Sequence, residues 1–384
     1  MDEPTTGVAP SIGYRHTWAD IDLAAIAHNA RLFKTNMTGR TALMAVVKAN
    51  GYGHGAVRTA RAALAAGADR LGVAIVDEAL QLRDAGIAQP VLVLGYTPPE
   101  SVRAAVERDV GLTVFTGDVL DAVVHWTERL RKRAIVHLKI DTGMNRIGVS
   151  DPDDALRLAR KAASSRLVAL EGMFTHFADA DGRDPDYTER QFGAFLEIAR
   201  RLEANGIDVP VKHCCNSAAT MRYPHMHLDM VRVGIALYGL YPSEHARLPQ
   251  YPLRPAFALK SKIAYVKRTA PGQPVGYGCA FVPERESRIA TVPIGYADGL
   301  SRRLSGRGSA LVRGARVPYA GNVCMDQTML DVTDVPGVRA GDEVVLIGRS
   351  KDDCVTADDI AALLGTINYE VVCAVGSRVP RVYK

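Results

Sequence analysis

Lys48 stands at the end of an apolar run, Ala42 to Val47, and is followed at once by Ala49-Asn50-Gly51-Tyr52-Gly53-His54-Gly55. The run reads as a short buried strand and the glycines as a sharp exit into a loop. Partial burial lowers the pKa of an ammonium group, because the neutral amine is easier to desolvate. An amine tuned in this way can attack a carbonyl and form a Schiff base. On these residues alone, a lysine snorkelling from a strand end to solvent explains the position equally well.

Further polar residues close other apolar runs. Lys139 and Asp141 end one, and its loop continues to Arg146. His176 follows the next, His213, Asn216 and Ser217 accompany another, and Arg232 is embedded in the last, just before Gly234 and Ile235. Two lysines, two arginines and two histidines on one mouth would suit an anionic ligand, phosphate or carboxylate. Each has a plainer reading. Lys139 could pair with Asp141, His176 could fill a polar layer, Arg232 could pair with Asp229, and Ser217 could be a helix cap. The pairs His225/His227 and Asp179/Asp181 lack a fuller ligand set, so no metal is expected. Gly51 to Gly55 has neither the dinucleotide nor the Walker spacing.

The elements that position these residues follow from periodicity. Eight short apolar runs, at 42–47, 71–75, 91–95, 112–115, 135–140, 168–174, 211–214 and 230–236, are mostly separated by helical patterns. The helical stretches include 56–66, 153–163 with Asp151 as N-cap, and 187–205. Repeated β-then-α units predict an α/β fold, a TIM-type (β/α)8 barrel closed by parallel strands. A doubly wound open sheet is the alternative. After residue 242 prolines punctuate a connection, and β-type runs follow at 257–266, 288–294, 309–312, 316–320, 327–332 and 343–348. One clear helix, 356–364, opens on a capping-box-like Thr356/Asp359 pair. The expected organisation is a loose leader over 1–14, a barrel over 15–242 and a mostly-β C-terminal domain over 243–384.

Composition narrows the function classes. The 384 residues are 47% hydrophobic and 23% charged with a formal net charge of +5, an ordinary globular balance. No basic tail or nucleic-acid motif occurs, and no run is long enough to span a membrane. Six cysteines lack disulfide or zinc spacing, and the N-terminus has no apolar signal core. A reduced cytoplasmic location is expected.

Here the pieces meet a known pattern. Val46-Val47-Lys48 together with the loop 49–55 closely resembles the cofactor-lysine motif of bacterial alanine racemases. The resemblance runs from Trp18-Ala19-Asp20-Ile21-Asp22 to Arg378-Val379-Pro380-Arg381. It takes in 139–146, Thr175-His176-Phe177, Asn216-Ser217 and Arg232-Val233-Gly234-Ile235. In the second half it includes Gly276-Tyr277-Gly278, Gly295-Tyr296, Cys324-Met325-Asp326 and Ile367-Asn368-Tyr369-Glu370. Any one of these is a modest signal, but all of them in order are specific.

The resemblance implies a pyridoxal 5'-phosphate enzyme that interconverts L- and D-alanine and supplies D-alanine for peptidoglycan. Lys48 would hold the cofactor and serve one face of the substrate α-carbon, and Tyr277 of the partner subunit in a homodimer would serve the other. His176 would tune Tyr277, with Arg232 beyond it and facing the pyridine nitrogen. Ser217, the backbone of Gly234 and Ile235, and the hydroxyls of Tyr52 and Tyr369 would hold the phosphate. Arg146 and the backbone of Met325 would meet the substrate carboxylate. Lys139 matches a lysine that is carbamylated in some members, and Tyr296 and Tyr369 would narrow the entrance. Asn145 and Gly276 replace a common Gly and a common Ser.

Other readings share part of this pattern. A broad-specificity racemase has much of the same framework, often with an export signal. A pyridoxal phosphate decarboxylase would place a glutamate where Arg232 stands. A metal-dependent barrel hydrolase would need a His-x-His pair on an early strand. A non-enzymatic pyridoxal phosphate carrier would dispense with the second domain.

Overall fold

The computed structural model describes residues 14–37 and 39–384, so the expected leader lies outside the described residues except for Tyr14. The chain divides into two units, one of Ala24–Pro255 and one of residues up to Leu23 joined by Ala256–Lys384. The strand β1 (Thr17–Ile21) precedes β2 (Ala42–Val46), β3 (Arg70–Val73), β4 (Val91–Val93), β5 (Gly111–Val114), β6 (Ala134–Lys139), β7 (Val168–Phe174), β8 (Val211–His213) and β9 (Met230–Val233). Strands β2 to β9 form one eight-stranded sheet in the order β8-β7-β6-β5-β4-β3-β2-β9, every neighbour parallel.

The seam between β8 and β9 is drawn together by the Asp229 N–H to Lys212 O bond at 3.2 Å and the Arg232 N–H to Cys215 O bond at 3.0 Å. The Asp229 carboxylate accepts the Lys212 N–H at 2.8 Å. A nearly closed parallel barrel results, as the β-then-α pattern predicts. Leu43 to Val47 are buried without alternation, which a parallel strand covered on both faces requires. Between strands run helices such as Ala56–Ala65, Pro152–Ser164 and Asp186–Ala204. Asp151 caps the second by accepting the N–H groups of Asp153 and Asp154 at 2.8 and 3.0 Å, with Pro152 at the first helical position.

The barrel unit extends past the expected limit at residue 242. Buried Asn29, on the helix Leu23–Asn36, donates to the carbonyls of Leu237 and Arg254 and accepts the Arg254 N–H. These three bonds tie the Pro-rich connection to the barrel as far as Pro255.

The other unit is mostly β. Its strands are β1, β10 (Phe257–Lys262), β11 (Tyr265–Thr269), β12 (Ser287–Val292), β13 (Ser309–Val312), β14 (Ala315–Pro318), β15 (Thr328–Asp331), β16 (Glu343–Ser350), β17 (Asp353–Val355) and β18 (Arg381–Tyr383). One sheet runs β14-β13-β16-β10-β1-β18 with β17 on β16, and a second runs β11-β12-β15. The single run expected at 257–266 is thus two strands in different sheets. The Thr356/Asp359 capping box is formed, and a second helix, Asn368–Cys373, follows.

β1 corrects the expected boundary at residue 15. It lies between β10, antiparallel, and β18, parallel, so the first strand belongs to the β unit. Ile21 is fully buried there. Ile21→Ala is expected to lower unfolding free energy by about 2–4 kcal/mol, measured by urea denaturation. A loss under about 0.5 kcal/mol would contradict the placement of β1 in a packed sheet.

Candidate active site

Lys48 leaves β2 on an unusual backbone. Ala49, Asn50, Gly51 and Tyr52 all have φ between 51° and 62°, close to one turn in the left-handed region. Three of these four are not glycine, so the conformation costs free energy and must be held from outside. The Glu78 carboxylate does part of this, accepting the Ala49 N–H at 2.6 Å and the Ala74 N–H at 2.7 Å. Gly51 N–H to Val47 O at 2.9 Å and Ala56 N–H to Asn50 Oδ1 at 3.1 Å close the loop. Lys48 itself is half-buried, and its charge is one of those that depress the pKa of His176.

The barrel interior carries a buried guanidinium. Arg232 donates to the carbonyls of Thr175, His213 and Cys214 at 2.8, 3.1 and 2.9 Å. It also donates to His213 Nδ1 at 2.8 Å and to His176 Nδ1 at 3.2 Å. Arg232 therefore does not pair with Asp229, which is taken up by Lys212. Burial lowers its pKa to about 10, which leaves it charged at neutral pH. His176 and His213 are held well below the ordinary imidazole value, first by burial and then by the charge of Arg232, so both are neutral.

Lys139 shares the interior. Its Nζ donates to Ile140 O at 2.9 Å and lies 5.2 Å from the centroid of the Phe174 ring. Arg232 approaches the same ring at 5.2 Å, and His213 stacks on it at 4.7 Å. The Asp141 carboxylate instead accepts the N–H groups of Gly143 and Asn145. Burial, followed by the charge of Arg232, brings the Lys139 pKa down to about 7. Arg146 is exposed, yet its charge reaches both Lys139 and His176. Asn145 sits at φ 55°, where asparagine is among the better tolerated substitutes for glycine.

A cradle lies at the end of β9. Ser217 is not the helix cap, because Asn216 fills that position by accepting the Ala219 N–H. The freed Ser217 hydroxyl accepts the Gly234 N–H at 2.9 Å and the Ala236 N–H at 3.4 Å. A Cβ on Gly234 would meet the Tyr52 hydroxyl at 2.5 Å, so glycine there admits the phenol. Ser217, Tyr52, Gly234 and Ile235 thus converge as hydroxyls and backbone, a donor set suited to a phosphate. Tyr52 packs on Tyr238, whose hydroxyl donates to Val46 O at 3.0 Å.

The remaining expected residues lie in the β unit. Tyr277, Met325 and Tyr296 are exposed by 74%, 53% and 41%. Backbone bonds from Tyr296 to Cys324 O and from Ala297 to Met325 O, and the Asn322 side chain to Tyr277 O at 2.7 Å, gather them into one patch. Gly276 has φ 74°, and a Cβ there would meet Met329 Cε at 2.7 Å. Tyr369 is half-buried in the helix Asn368–Cys373. His225 pairs with Glu189 and His227 with Thr220 O, and among the described residues no cluster of three or more His, Cys, Asp or Glu is placed to hold a metal ion. Cys214 and Cys215 are buried thiols. Among those residues no helix is long and apolar enough to cross a membrane. Sequence reasoning missed Glu78, Arg70, His137 and Glu171. Of these, His137 and Glu171, polar residues inside the apolar runs 135–140 and 168–174, left a local signal.

Two family models match, "Alanine racemase, N-terminal domain" over residues 21–242 and "Alanine racemase, C-terminal domain" over 256–383. Alanine racemase 2 of Oceanobacillus iheyensis is 51% identical over 370 residues, 96% of this chain and 94% of that protein. The crystal structure of alanine racemase from Bacillus anthracis with bound L-Ala-P superposes with a TM-score of 0.92 at 41% identity, covering 97% of this chain and 95% of that one. Histidine racemase from Leuconostoc mesenteroides superposes at 0.90 with 32% identity, covering 97% and 99%. Fold and site together define an isomerase of the racemase class, built as a parallel barrel with a β domain. Within that class, the chain belongs to the alanine racemase family.

Folding lowers the Lys139 pKa from its ordinary 10.5 to about 7, so between those values the unfolded chain binds the extra proton. The contribution of Lys139 to stability therefore rises with pH from about 7 to about 10.5. In carbon dioxide-free buffer, Lys139→Met should flatten that rise in a series of thermal unfolding midpoints. An unchanged slope would reject the depressed amine.

Proposed function

We propose that this chain interconverts L- and D-alanine with two bases, on pyridoxal 5'-phosphate held in the barrel. It works as a homodimer whose subunits complete each other's sites, and it supplies D-alanine for peptidoglycan in the cytoplasm. The observation that carries this reading is the buried, charged Arg232, bonded to two neutral histidines, on the same barrel as a strand-end lysine.

The residues fit the cofactor. The Lys48 amine suits its aldehyde, and the Ser217, Tyr52, Gly234 and Ile235 cradle suits its phosphate, aided by Tyr369. Gly234 has no Cβ where a side chain would fill that cradle. Bound there, pyridoxal phosphate lowers the acidity barrier at the substrate α-carbon by drawing its electrons toward the ring. Arg232, charged and without a proton to accept, disfavours protonation of the ring nitrogen. That weakens the electron sink and restricts the enzyme to moving one proton.

Racemisation removes a proton from one side of the α-carbon and returns one to the other. Lys48 Nζ holds and moves the proton on one face, and Tyr277 of the partner subunit does so on the other. The exposure of Tyr277, Met325 and Tyr296 in one patch supports a second subunit covering them. A phenol ordinarily titrates at about 10 and needs a neighbour that stabilises its anion. Arg232 donates to His176 Nδ1, which leaves the His176 proton on Nε2, free to donate to the Tyr277 oxygen. Arg146 and the Met325 backbone take the substrate carboxylate, while Tyr296 and Tyr369 leave room for a methyl side chain.

At a pKa of about 7, half of the Lys139 amine is neutral near neutral pH. The neutral amine adds carbon dioxide, forming an N–C bond and releasing a proton to solvent. The resulting carbamate is the anion that positions Arg146.

Purified protein with pyridoxal phosphate should form D-alanine from L-alanine, with L-serine, L-lysine and L-histidine much slower. Preferred turnover of another amino acid would move the specificity elsewhere. Lys48→Ala and Tyr277→Phe should each lose about 10²-fold or more of kcat. Mixing the two inactive variants should restore activity in hybrids, and no recovery after proven subunit exchange would refute the shared site.

A further inference from the structure

The chain of hydrogen bonds that begins at Arg232 does not stop at His213. His213 Nε2 lies 2.9 Å from His137 Nδ1, and His137 Nε2 lies 3.0 Å from Glu171 Oε2. Arg70 grips the same carboxylate with two N–H groups, one bond at 3.1 Å. Four side chains from β9, β8, β6 and β7 thus run through the barrel from the mouth to the end where β3 begins with Arg70.

The direction of every proton follows from one fact. A guanidinium has donors only. His213 Nδ1 must therefore accept from Arg232, and neutral His213 carries its proton on Nε2. That proton goes to His137 Nδ1, so His137 carries its own on Nε2 and gives it to Glu171. Among the described residues no carboxylate pairs with Arg232 directly. The groups facing Arg232 are His213, His176, Cys214, Cys215 and Lys139. Those acting on His137 are His213, Glu171, Arg70 and, at longer range, Arg232.

The barrel is modified to admit this chain. The register of β6 on β7 shifts between Val136 and His137, leaving Glu171 as the extra residue on β7, a bulge that re-aims its carboxylate. A Cβ on Gly172 would meet His137 Nδ1 at 2.3 Å, so the neighbouring strand has glycine where the ring passes.

We propose that Glu171 is the remote counter-ion of Arg232, a positioning residue that acts through His137 and His213 to fix the guanidinium and the tautomer of His176. This rests on the roles given to Arg232 and His176 above. Charge and polarity leave the mouth by a one-way series of donors and end on a carboxylate clamped by Arg70.

The test uses the full-length protein loaded with pyridoxal phosphate and labelled with ¹⁵N at histidine. Long-range ¹H–¹⁵N spectra should place a single proton on Nε2 of both His137 and His213 from about pH 6 to 8, the range in which a free imidazole titrates. A proton on Nδ1 of either ring, or a doubly protonated ring, would overturn the proposal without any substitution. Glu171→Gln offers His137 both a donor and an acceptor, and Gly172→Ala displaces the ring, so both should give mixed tautomers. In both variants kcat should fall by about 3- to 30-fold with KM little changed. Glu171→Gln should also move the acid limb of kcat/KM to lower pH, since losing an anion favours the deprotonated bases. Variants that keep one tautomer and the wild-type pH profile would refute the relay. Intact Nε2 tautomers in a protein that racemises nothing would refute the functional reading and leave the relay standing.

Discussion

The constraint on which the barrel depends is the burial of the Arg232 guanidinium away from any direct carboxylate partner. A charge taken from water must recover its solvation from fixed dipoles or from a distant anion. Three backbone carbonyls, of Thr175, His213 and Cys214, supply dipoles where β7 and β8 end. Two histidines supply ring nitrogens, and both must be neutral to accept. Burial first, and then the positive potential that results, bring the Lys139 amine to about 7. Burial, reinforced by this one charge, thus sets the protonation of three neighbours.

The second constraint is geometric. Lys48 must leave a straight parallel strand and point its amine in a fixed direction. The left-handed turn over 49–52 does this at a cost of about 1–2 kcal/mol for an ordinary residue in that region. Glu78 offsets part of it by joining the loops after β2 and β3 through two backbone N–H groups. Strain held by a neighbouring helix makes the lysine a fixed point, which suits the role proposed for it.

Much of this was legible in the sequence. All eight barrel strands lie where apolar runs predict them, because a parallel strand buried on both faces writes its burial directly into composition. The caps at Asp151 and Thr356 were readable for the same local reason. Features decided by distant partners were not. Thr17–Ile21 mixes polar and apolar residues, and its burial comes from β10 and β18, more than two hundred residues away in sequence. The run at 257–266 carries no glycine or proline at its break, so the switch between sheets left no turn signal. Glu171 stands inside the apolar run 168–174, yet only its pairing with His137 and Arg70 distinguishes it from a solvated carboxylate.

The two units carry different parts of the proposed chemistry. Groups that must hold a charge or a tautomer sit on strands of the barrel or, like His176, just past a strand end, where packing and backbone carbonyls hold them. Groups proposed to meet the substrate from outside, Tyr277, Met325 and Tyr296, sit on loops of the β unit and are exposed. An exposed phenol has no reason of its own to ionise near neutral pH. In the proposed dimer a neutral His176 donating from Nε2 gives it one, and burial, followed by the charge of Arg232, keeps His176 neutral. On that proposal, the basicity of the outer phenol is set from inside the barrel. A substitution deep in the barrel can change the chemistry at the mouth without touching a ligand.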